Sequence, residues 1–441
     1  MGRSAGRPRP LVRLSLTVAS DTIFAHSSGR PPAAIAVIRI SGDRAHAAGE
    51  ALAGPLPPAR QTSLRKLRGS GGAILDEALL LRFDAPASAT GEHLVELHCH
   101  GGRAVVAAVL AALSGMEGLR AAMPGEFTRR ALENGRIDLT EAEGLADLLE
   151  AETEAQRRLA LTAVEGGVRR LIDGWRKEVI DLSAQVEAAI DYVGDEEETS
   201  LDRQALESSI GRLRREWGNW LSQPRSDKLR RGARVVLAGP PNTGKSSLLN
   251  AMIGEDRAIV TSVAGTTRDT VEVPLSIDGI PIVLIDTAGL RVTGDQVERL
   301  GVVRAQDELA RADLLLWLGD PEEAPEHPNC LRIHSQSDRR EEAPEGSLAV
   351  SSFTGQNIPT LKRAVHAKVA SLFPKEDGIA LSERQARLVD EARIALEPLG
   401  EDLLITAEQL RQARDTLDRV VGVNGTEEML DALFGRFCLG K

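Results

Sequence analysis

The sequence predicts three structural classes in one chain: an α+β domain, a helical domain, and an α/β unit inserted within the helical part. Three observations predict this. Strand-like runs bounded by turn residues, with one helix, occupy residues 21–120. Apolar residues recur every three or four positions on both sides of residues 232–374. Between those helical blocks strands alternate with helices, the pattern of a doubly wound parallel sheet. Insertion of such a unit is tolerated because the ends of a compact domain often lie close together.

The chain has 441 residues, enough for about two to four domains. Its net charge of −11 means that the surface as a whole does not attract nucleic acid, so any RNA contact needs a local basic patch or a partner. No apolar run approaches the ~20 residues of a membrane span, and the reading is of a protein with no membrane partner. Cys99, Cys330 and Cys438 are scattered and odd in number, which argues against a disulfide framework and for a reducing, cytoplasmic setting. Residues 1–20 are rich in Arg and lack acids. They read as a disordered basic extension, with an organellar transit peptide as the alternative.

In chain order, residues 34–40, 78–83 and 94–100 read as strands, and residues 103–113 as a helix packed on them. Thr140 with Glu143 has the spacing of a capping box that opens a helical region. Val164, Val168, Leu171, Trp175, Val179, Leu182, Val186 and Ile190 then predict one long amphipathic helix. The acidic run at residues 195–198 reads as a solvated helix end. Leu206, Ile210, Leu213, Trp217 and Leu221 predict a further helix. After Pro374 the stripes Leu388, Ala392, Ala395 and Leu403, Ala407, Leu410, Ala413, Leu417, Val421 predict two more, and Thr426 caps a last short one. The expected boundaries are 1–20 for the extension, 21–136 for the α+β domain, 137–231 and 375–441 for the helical domain, and 232–374 for the α/β unit.

The α/β unit carries the chemistry. Gly239-Pro240-Pro241-Asn242-Thr243-Gly244-Lys245-Ser246 matches G-x-x-x-x-G-K-[ST] in full. A strand-like run leads in, and Ser247 onward leaves as a helix, the context that makes this motif a phosphate cradle. Backbone N–H groups and the helix N-terminus suit anionic oxygens. Lys245 is placed for the β- and γ-phosphates, and the Ser246 hydroxyl for Mg²⁺. Downstream lies Thr261-Ser262-Val263-Ala264-Gly265-Thr266-Thr267, in which Thr267 is the candidate to close over the γ-phosphate and complete the Mg²⁺ shell. An apolar run then delivers Asp286-Thr287-Ala288-Gly289, with Asp286 as the metal-side carboxylate and the Gly289 N–H facing the γ-phosphate. This is a Ras-like P-loop arrangement.

Leu290 follows Gly289, where small GTPases place a Gln that orients water. Either hydrolysis is very slow or another group compensates. Asn242 is one candidate: its amide oxygen, with the carbonyls of Thr261 and Val263, can bind a monovalent cation that does the work of an arginine finger. The alternative is an ordinary loop Asn. Glu298 is a candidate to position water, or a solvated helix residue. Base selection departs from N-K-x-D: after residues 331–334 comes Ser335-Gln336-Ser337-Asp338, where only the Asp survives. Its carboxylate still matches guanine N1–H and N2–H₂. GTP preference with weakened binding is expected. Ser351-Ser352-Phe353 fits the loop at the other edge of the base.

From about residue 20 onward the chain resembles the bacterial tRNA modification GTPase family MnmE, also called TrmE. The resemblance rests on Asp21-Thr22-Ile23, Arg39-Ile40-Ser41-Gly42, Thr90-Gly91-Glu92, Glu96-Leu97, His100-Gly101-Gly102, Pro124-Gly125-Glu126-Phe127-Thr128, Asn134-Gly135-Arg136-Ile137-Asp138-Leu139, Glu187-Ala188-Ala189-Ile190-Asp191-Tyr192 and Phe437-Cys438-Leu439-Gly440-Lys441. It implies a GTPase that acts with the flavoprotein MnmG (GidA), which carries FAD. The pair adds an aminomethyl or carboxymethylaminomethyl group at C5 of the wobble uridine of certain tRNAs. The carbon comes from a 5-formyl- or 5,10-methylene-tetrahydrofolate bound in an N-terminal domain that also makes a homodimer, within a heterotetramer or larger complex. By motif match the folate residues are Arg39, Glu96, Arg136 and Lys441; a Lys is common where this chain has Arg136. Asn242, Thr261, Val263 and Thr266 would line a K⁺ site, and Glu298 would be the catalytic acid.

Some features invite competing readings. His98-Cys99-His100 places two histidines on one strand face, yet no third and fourth metal ligand has suitable spacing, and a turn beside the folate pocket is the other reading. Cys438 fits C-a-a-X only formally, since Gly440 and Lys441 are unsuitable; a catalytic role for its thiol is a hypothesis from the resemblance. Two other functions compete: a ribosome-assembly GTPase switch, which predicts a basic RNA-binding appendage, and a folate-binding regulator with a decayed nucleotide site, which predicts no GTPase activity even in potassium.

Overall fold

In the computed structural model the described residues are 21–191, 202–254, 271–286, 308–339, 342–375, 378–397, 402–423, 427–435, 437 and 440. They fall into two compact units, one taking the chain up to Ala142 and from Asn424 onward, the other Glu143–Val423.

The first unit is built on a sheet of β1 (Thr22–His26), β2 (Ile35–Ser41), β3 (Thr62–Arg68), β4 (Ile74–Phe83), β5 (Leu94–His100) and β6 (Leu119–Ala121), in the order β3-β4-β5-β2-β1-β6. All pairings are antiparallel except β1 with β6. Helices α1 (Ala45–Ala53) and α2 (Arg103–Ser114) bury one face against Phe24, Ile38, Ile40, Leu80, Val95 and Leu97. Strands β1, β3 and β6 escape a reading of the sequence alone. β3 is an edge strand, Thr-Ser-Leu-Arg-Lys-Leu-Arg, in which only Leu67 is buried. Charge on an edge strand blunts unwanted pairing, and it erases the apolar alternation that would announce the strand.

Helix α3 (Glu126–Glu133) follows, and α4 (Leu139–Glu150) begins one residue after Asp138. The expected Thr140/Glu143 capping box is replaced by one of the same spacing that starts two residues earlier, Asp138/Glu141. Asp138 Oδ1 accepts from the Glu141 N–H and Glu141 Oε2 accepts from the Asp138 N–H, each at 2.8 Å. Asp is at least as good an N-cap as Thr, and the pair satisfies two orphan donors reciprocally. Glu143 is thereby left to bind Arg384 and Gln385.

In the second unit the single long helix expected from Val164 is two helices. α5 (Glu154–Val164) stops, and α6 (Gly167–Asp191) starts afresh. Gly166 has φ +77° and its N–H bonds back to Ala163, a left-handed turn that ends a helix. The stripe on α6 otherwise runs as its spacing predicts, with Val168, Trp175, Val179, Leu182 and Val186 buried; Ile172 joins them and Leu171 is only partly buried. It packs with α7 (Arg203–Leu221) and with two helices from beyond residue 374, Glu383–Ala395 and Leu403–Val421, around one core that includes Trp217, Val389, Leu410 and Leu417. Helices from both sides of the α/β segment thus share one core, as an insertion requires.

The α/β segment has the strand order β12-β11-β10-β7-β9-β8, with β7 (Ala233–Ala238), β8 (Val271–Ile277), β9 (Ile280–Asp286), β10 (Leu314–Trp317), β11 (Cys330–Ser335) and β12 (Leu348–Val350). All neighbours are parallel except β8 with β9. Strand β7 is flanked on both sides and buries Val235, Val236 and Leu237 fully, which explains its unbroken apolar run.

Candidate functional site

The carboxyl end of β7 opens into the phosphate loop, the place where parallel α/β sheets bind ligands. Three loop residues need backbone conformations that L side chains rarely adopt: Gly239 at φ +148°, Asn242 at +61° and Gly244 at +88°. At Gly239 a Cβ would lie 3.1 Å from the Leu318 backbone, so only glycine fits against the end of β10. Helix Lys245–Ile253 then starts directly from the loop.

Lys245 is buried, and its ammonium donates to the carbonyls of Gly239 (2.8 Å) and Pro240 (2.7 Å). The Thr243 hydroxyl also donates to Pro240 O, at 2.9 Å. The cation is thus held over the mouth of the loop it comes from. Strand pairing supplies its counterpart: the β7–β9 register sets Leu237 beside Asp286, two residues before the loop begins. Asp286 is buried, and its Oδ2 accepts from the Ser246 hydroxyl at 2.6 Å. Two oxygen donors from different motifs therefore meet at one point, a donor set suited to a small hard cation.

On the other side, β11 ends in Ser335. Its buried hydroxyl donates to Thr243 O at 2.5 Å, and Gln336, at φ +58°, donates its amide N–H to Asn242 O at 3.4 Å. Asp338 accepts from the Ser351 hydroxyl at 2.5 Å. That hydrogen bond keeps its carboxyl below the usual range, so an acceptor-only group stands there at neutral pH. Ser351 is fully buried, whereas Phe353 is 84% exposed. Ser247 lies in the first turn of the helix after the loop. Thr261, Ser262, Val263, Ala264, Gly265, Thr266, Thr267, Thr287, Ala288, Gly289, Leu290, Glu298, Cys438 and Lys441 lie outside the described residues.

In the N-terminal unit, Arg39 and Glu96 are cross-strand neighbours on β2 and β5 joined by a 2.8 Å ion pair. Arg39 also lies 5.6 Å from the Phe127 ring centroid, and His98 Nε2 is 3.3 Å from Glu96 Oε2. Arg136 is exposed, and a Cβ at Gly91 would lie 3.1 Å from its side-chain stem, so the glycine makes room for it. His98 and His100 sit on β5 itself and form no turn; His100 Nδ1 pairs with Asp76 at 2.7 Å.

Sequence reasoning passed over a charged cluster that ties several motifs together. Arg130, 5% exposed, reaches Asp21, Glu92 and Glu126 at 3.1–3.2 Å. Arg120 joins Asp21 and Glu126 from the other side. Glu92 also accepts from the Ser41 hydroxyl, which contacts Thr90. Burial, the largest single influence, would raise the carboxyls of Asp21 and Glu126; the hydrogen bonds and charges of Arg120 and Arg130, with the Met123 N–H at Glu126, together outweigh it and hold both below their usual range. The signal available in the sequence was the Asp, Glu and Arg inside D-T-I, T-G-E and P-G-E-F-T-R-R, which mark positions without showing that they meet.

A parallel sheet, a left-handed glycine loop leading into a helix, a loop lysine and a carboxylate from the adjacent strand together define a P-loop nucleotide hydrolase. Comparison with known proteins narrows the class. Residues 139–438 match the MnmE helical domain family, and residues 22–136 match the family described as GTP-binding protein TrmE N-terminus. The chain is 51% identical over 426 residues to the tRNA modification GTPase MnmE of Erythrobacter litoralis, covering 96% of this chain and all of the relative. It is 50% identical to that of Rhizorhabdus wittichii, over 98% of this chain and all of the relative, and 48% identical to that of Zymomonas mobilis, over 95% and all. The chain belongs to the MnmE family of tRNA modification GTPases. It is a GTP-hydrolysing enzyme of tRNA modification, and among its described residues no helix is long and apolar enough to cross a membrane.

Proposed function

We propose that this chain is a potassium-activated GTPase. With the FAD-carrying flavoprotein MnmG, it installs an aminomethyl or carboxymethylaminomethyl group at C5 of the wobble uridine of certain tRNAs, with a tetrahydrofolate as one-carbon donor. The observation that carries the nucleotide half is the meeting of Lys245, Ser246 and Asp286 around one loop. Lys245 binds the β- and γ-phosphates by exchanging its two carbonyl contacts for phosphate oxygens. Ser246, with Thr267, would hold Mg²⁺, which when bound offsets charge on the phosphate oxygens. Asp338, kept ionised by Ser351, accepts from guanine, with Ser351-Ser352-Phe353 at the other edge of the base.

Two features of this chain support potassium. Leu290 has no group to orient water, and Asn242 stands in the left-handed region at the crest of the loop. Asn242 with Thr261, Val263 and Thr266 would line the K⁺ site, and Glu298 would position the water. The folate half rests on Arg39, Glu96, Arg136 and Lys441, with Cys438 as a candidate thiol. The Arg39–Glu96 pair supports it, because a guanidinium held at its edge by one carboxylate keeps donors for a second one. The enzyme acts in the cytoplasm as a homodimer through the N-terminal unit. GTP hydrolysis in KCl against NaCl, with and without the flavoprotein partner and tRNA, tests the reading. A rate enhanced in KCl is expected; equal and negligible rates in both salts would remove the switch and leave a folate-binding regulator.

A further inference from the structure

The two histidines that the sequence offered for metal binding, His98 and His100, are engaged by Glu96 and Asp76 respectively. A different group converges. His46 lies in the first turn of α1, Asp84 directly follows β4, and His93 directly precedes β5. Each offers one ligand atom, and these atoms lie within 4.8 Å of one another. Among the described residues this is the group of three His, Cys, Asp or Glu side chains so placed. They are 38 and 9 positions apart in sequence, so folding alone assembles them.

We propose that His46, Asp84 and His93 form a binding site for one divalent ion of the zinc type. Ligands at the ~2.0–2.1 Å bond lengths of tetrahedral zinc stand about 3.3–3.4 Å from each other. His46 Nε2 and Asp84 Oδ1 are already 3.4 Å apart. The imidazoles of His46 and His93 have centroids 4.4 Å apart and are tilted by 52°, so both rings stand side by side at the site. Two imidazoles and one carboxylate are borderline donors, which favour Zn²⁺, Co²⁺ or Ni²⁺ over Mg²⁺ or Ca²⁺.

The surroundings fit a site with a supporting shell. Arg82 grips the Asp84 carboxylate, Nε to Oδ1 at 2.8 Å and Nη2 to Oδ2 at 3.3 Å, which fixes its orientation; the ion would share Oδ1 with the Arg82 Nε–H. Binding displaces two contacts, His46 Nε2 with the Phe83 carbonyl (3.1 Å) and the Ala85 N–H with His93 Nδ1 (3.3 Å). Both are neutral, and the second is long, so metal–imidazole bonds outweigh them. With three protein ligands and an exposed side, the ion would clip α1 to the segment between β4 and β5. That segment also carries Thr90 and Glu92 of the charged cluster.

The test is titration of the full chain with Co²⁺ and then Zn²⁺, with GDP and excess Mg²⁺ present to fill the nucleotide site. One equivalent of Co²⁺ is expected to bind at micromolar concentration, with visible d–d absorption that Zn²⁺ abolishes. H46Q, H93Q and D84N should each lose at least about tenfold in affinity, while H100Q keeps it. If either histidine variant fails to fold, D84N, which preserves shape, decides the matter. Native affinity in H46Q, H93Q and D84N, or a native chain that needs millimolar metal, would overturn the site.

Discussion

The Ser335 hydroxyl donates to the main-chain carbonyl of Thr243, linking the base-side loop to the phosphate loop across 92 positions of sequence. Ser335 stands where GTPases with a complete N-K-x-D carry Asn. The shorter side chain still spans the gap because β11 ends right against the phosphate loop. Ser335→Ala is expected to weaken GTP and GDP alike by about five- to tenfold, the loss of roughly 1–1.5 kcal/mol for one buried neutral hydrogen bond. Discrimination against ATP stays with Asp338. Calorimetric titration with GTP, GDP and ATP checks this, and undiminished GDP binding would deny the link.

Lys245 is held by two loop carbonyls, so its ammonium is preset for a phosphate and needs little reordering on binding. Lys245→Met should lower single-turnover GTP hydrolysis at least about a hundredfold, the scale seen when one preorganised charge-stabilising donor is removed. A variant that retains more than a tenth of the native rate would exclude Lys245 from the chemistry.

Arg130 neutralises carboxylates from three segments of the N-terminal unit while almost wholly buried. Arg130→Met leaves Asp21, Glu92 and Glu126 facing one another with only Arg120 beside them. The expected loss is about 3–5 kcal/mol, as for removal of one partner of a buried ion cluster. Urea unfolding followed on the N-terminal unit measures it. Arg130→Lys should recover only part, since an ammonium lacks the planar fork.

The same cluster sets a pH dependence. Asp21 and Glu126 have folded carboxyls below their ordinary values of 3.8 and 4.5: burial works against this most strongly of any single influence, and the Arg120 and Arg130 contacts together prevail. The unfolded chain therefore binds protons first as pH falls. The stabilisation is complete above those ordinary values and is lost as pH drops through the lower folded ones. The thermal midpoint should fall between about pH 5 and pH 3, with a shallower slope in Arg120→Met. A slope unchanged by that substitution would place the acid sensitivity elsewhere.

Legibility tracked how local each cause was. The phosphate loop was readable because its chemistry needs eight consecutive residues in one order. The α6 and α7 stripes were readable because one buried face imposes a period of 3.6. Strand β3 was not, because an edge strand with basic residues carries no alternation. The break at Gly166 was passed over because Val164 kept the apolar spacing while the glycine, four residues before Arg170, set the backbone. The cap at Asp138 was passed over because Thr140 with Glu143 fits the same pattern as Asp138 with Glu141, and only the hydrogen bonds separate the two.

By itself the sequence determined the class of each segment, the inserted arrangement and the identity of the phosphate loop, since these follow from periodicity and from contiguous motifs. Tertiary structure alone decided which distant side chains meet. Asp286 reaches Ser246 through a strand register. Ser335 reaches Thr243 through the ends of parallel strands, and Arg130 gathers acids from 109 and 38 positions away. His46 finds Asp84 and His93 in the same manner. The physical reason is common to all: a pairwise contact across a fold depends on packing and register, and neither leaves a periodic trace along the chain.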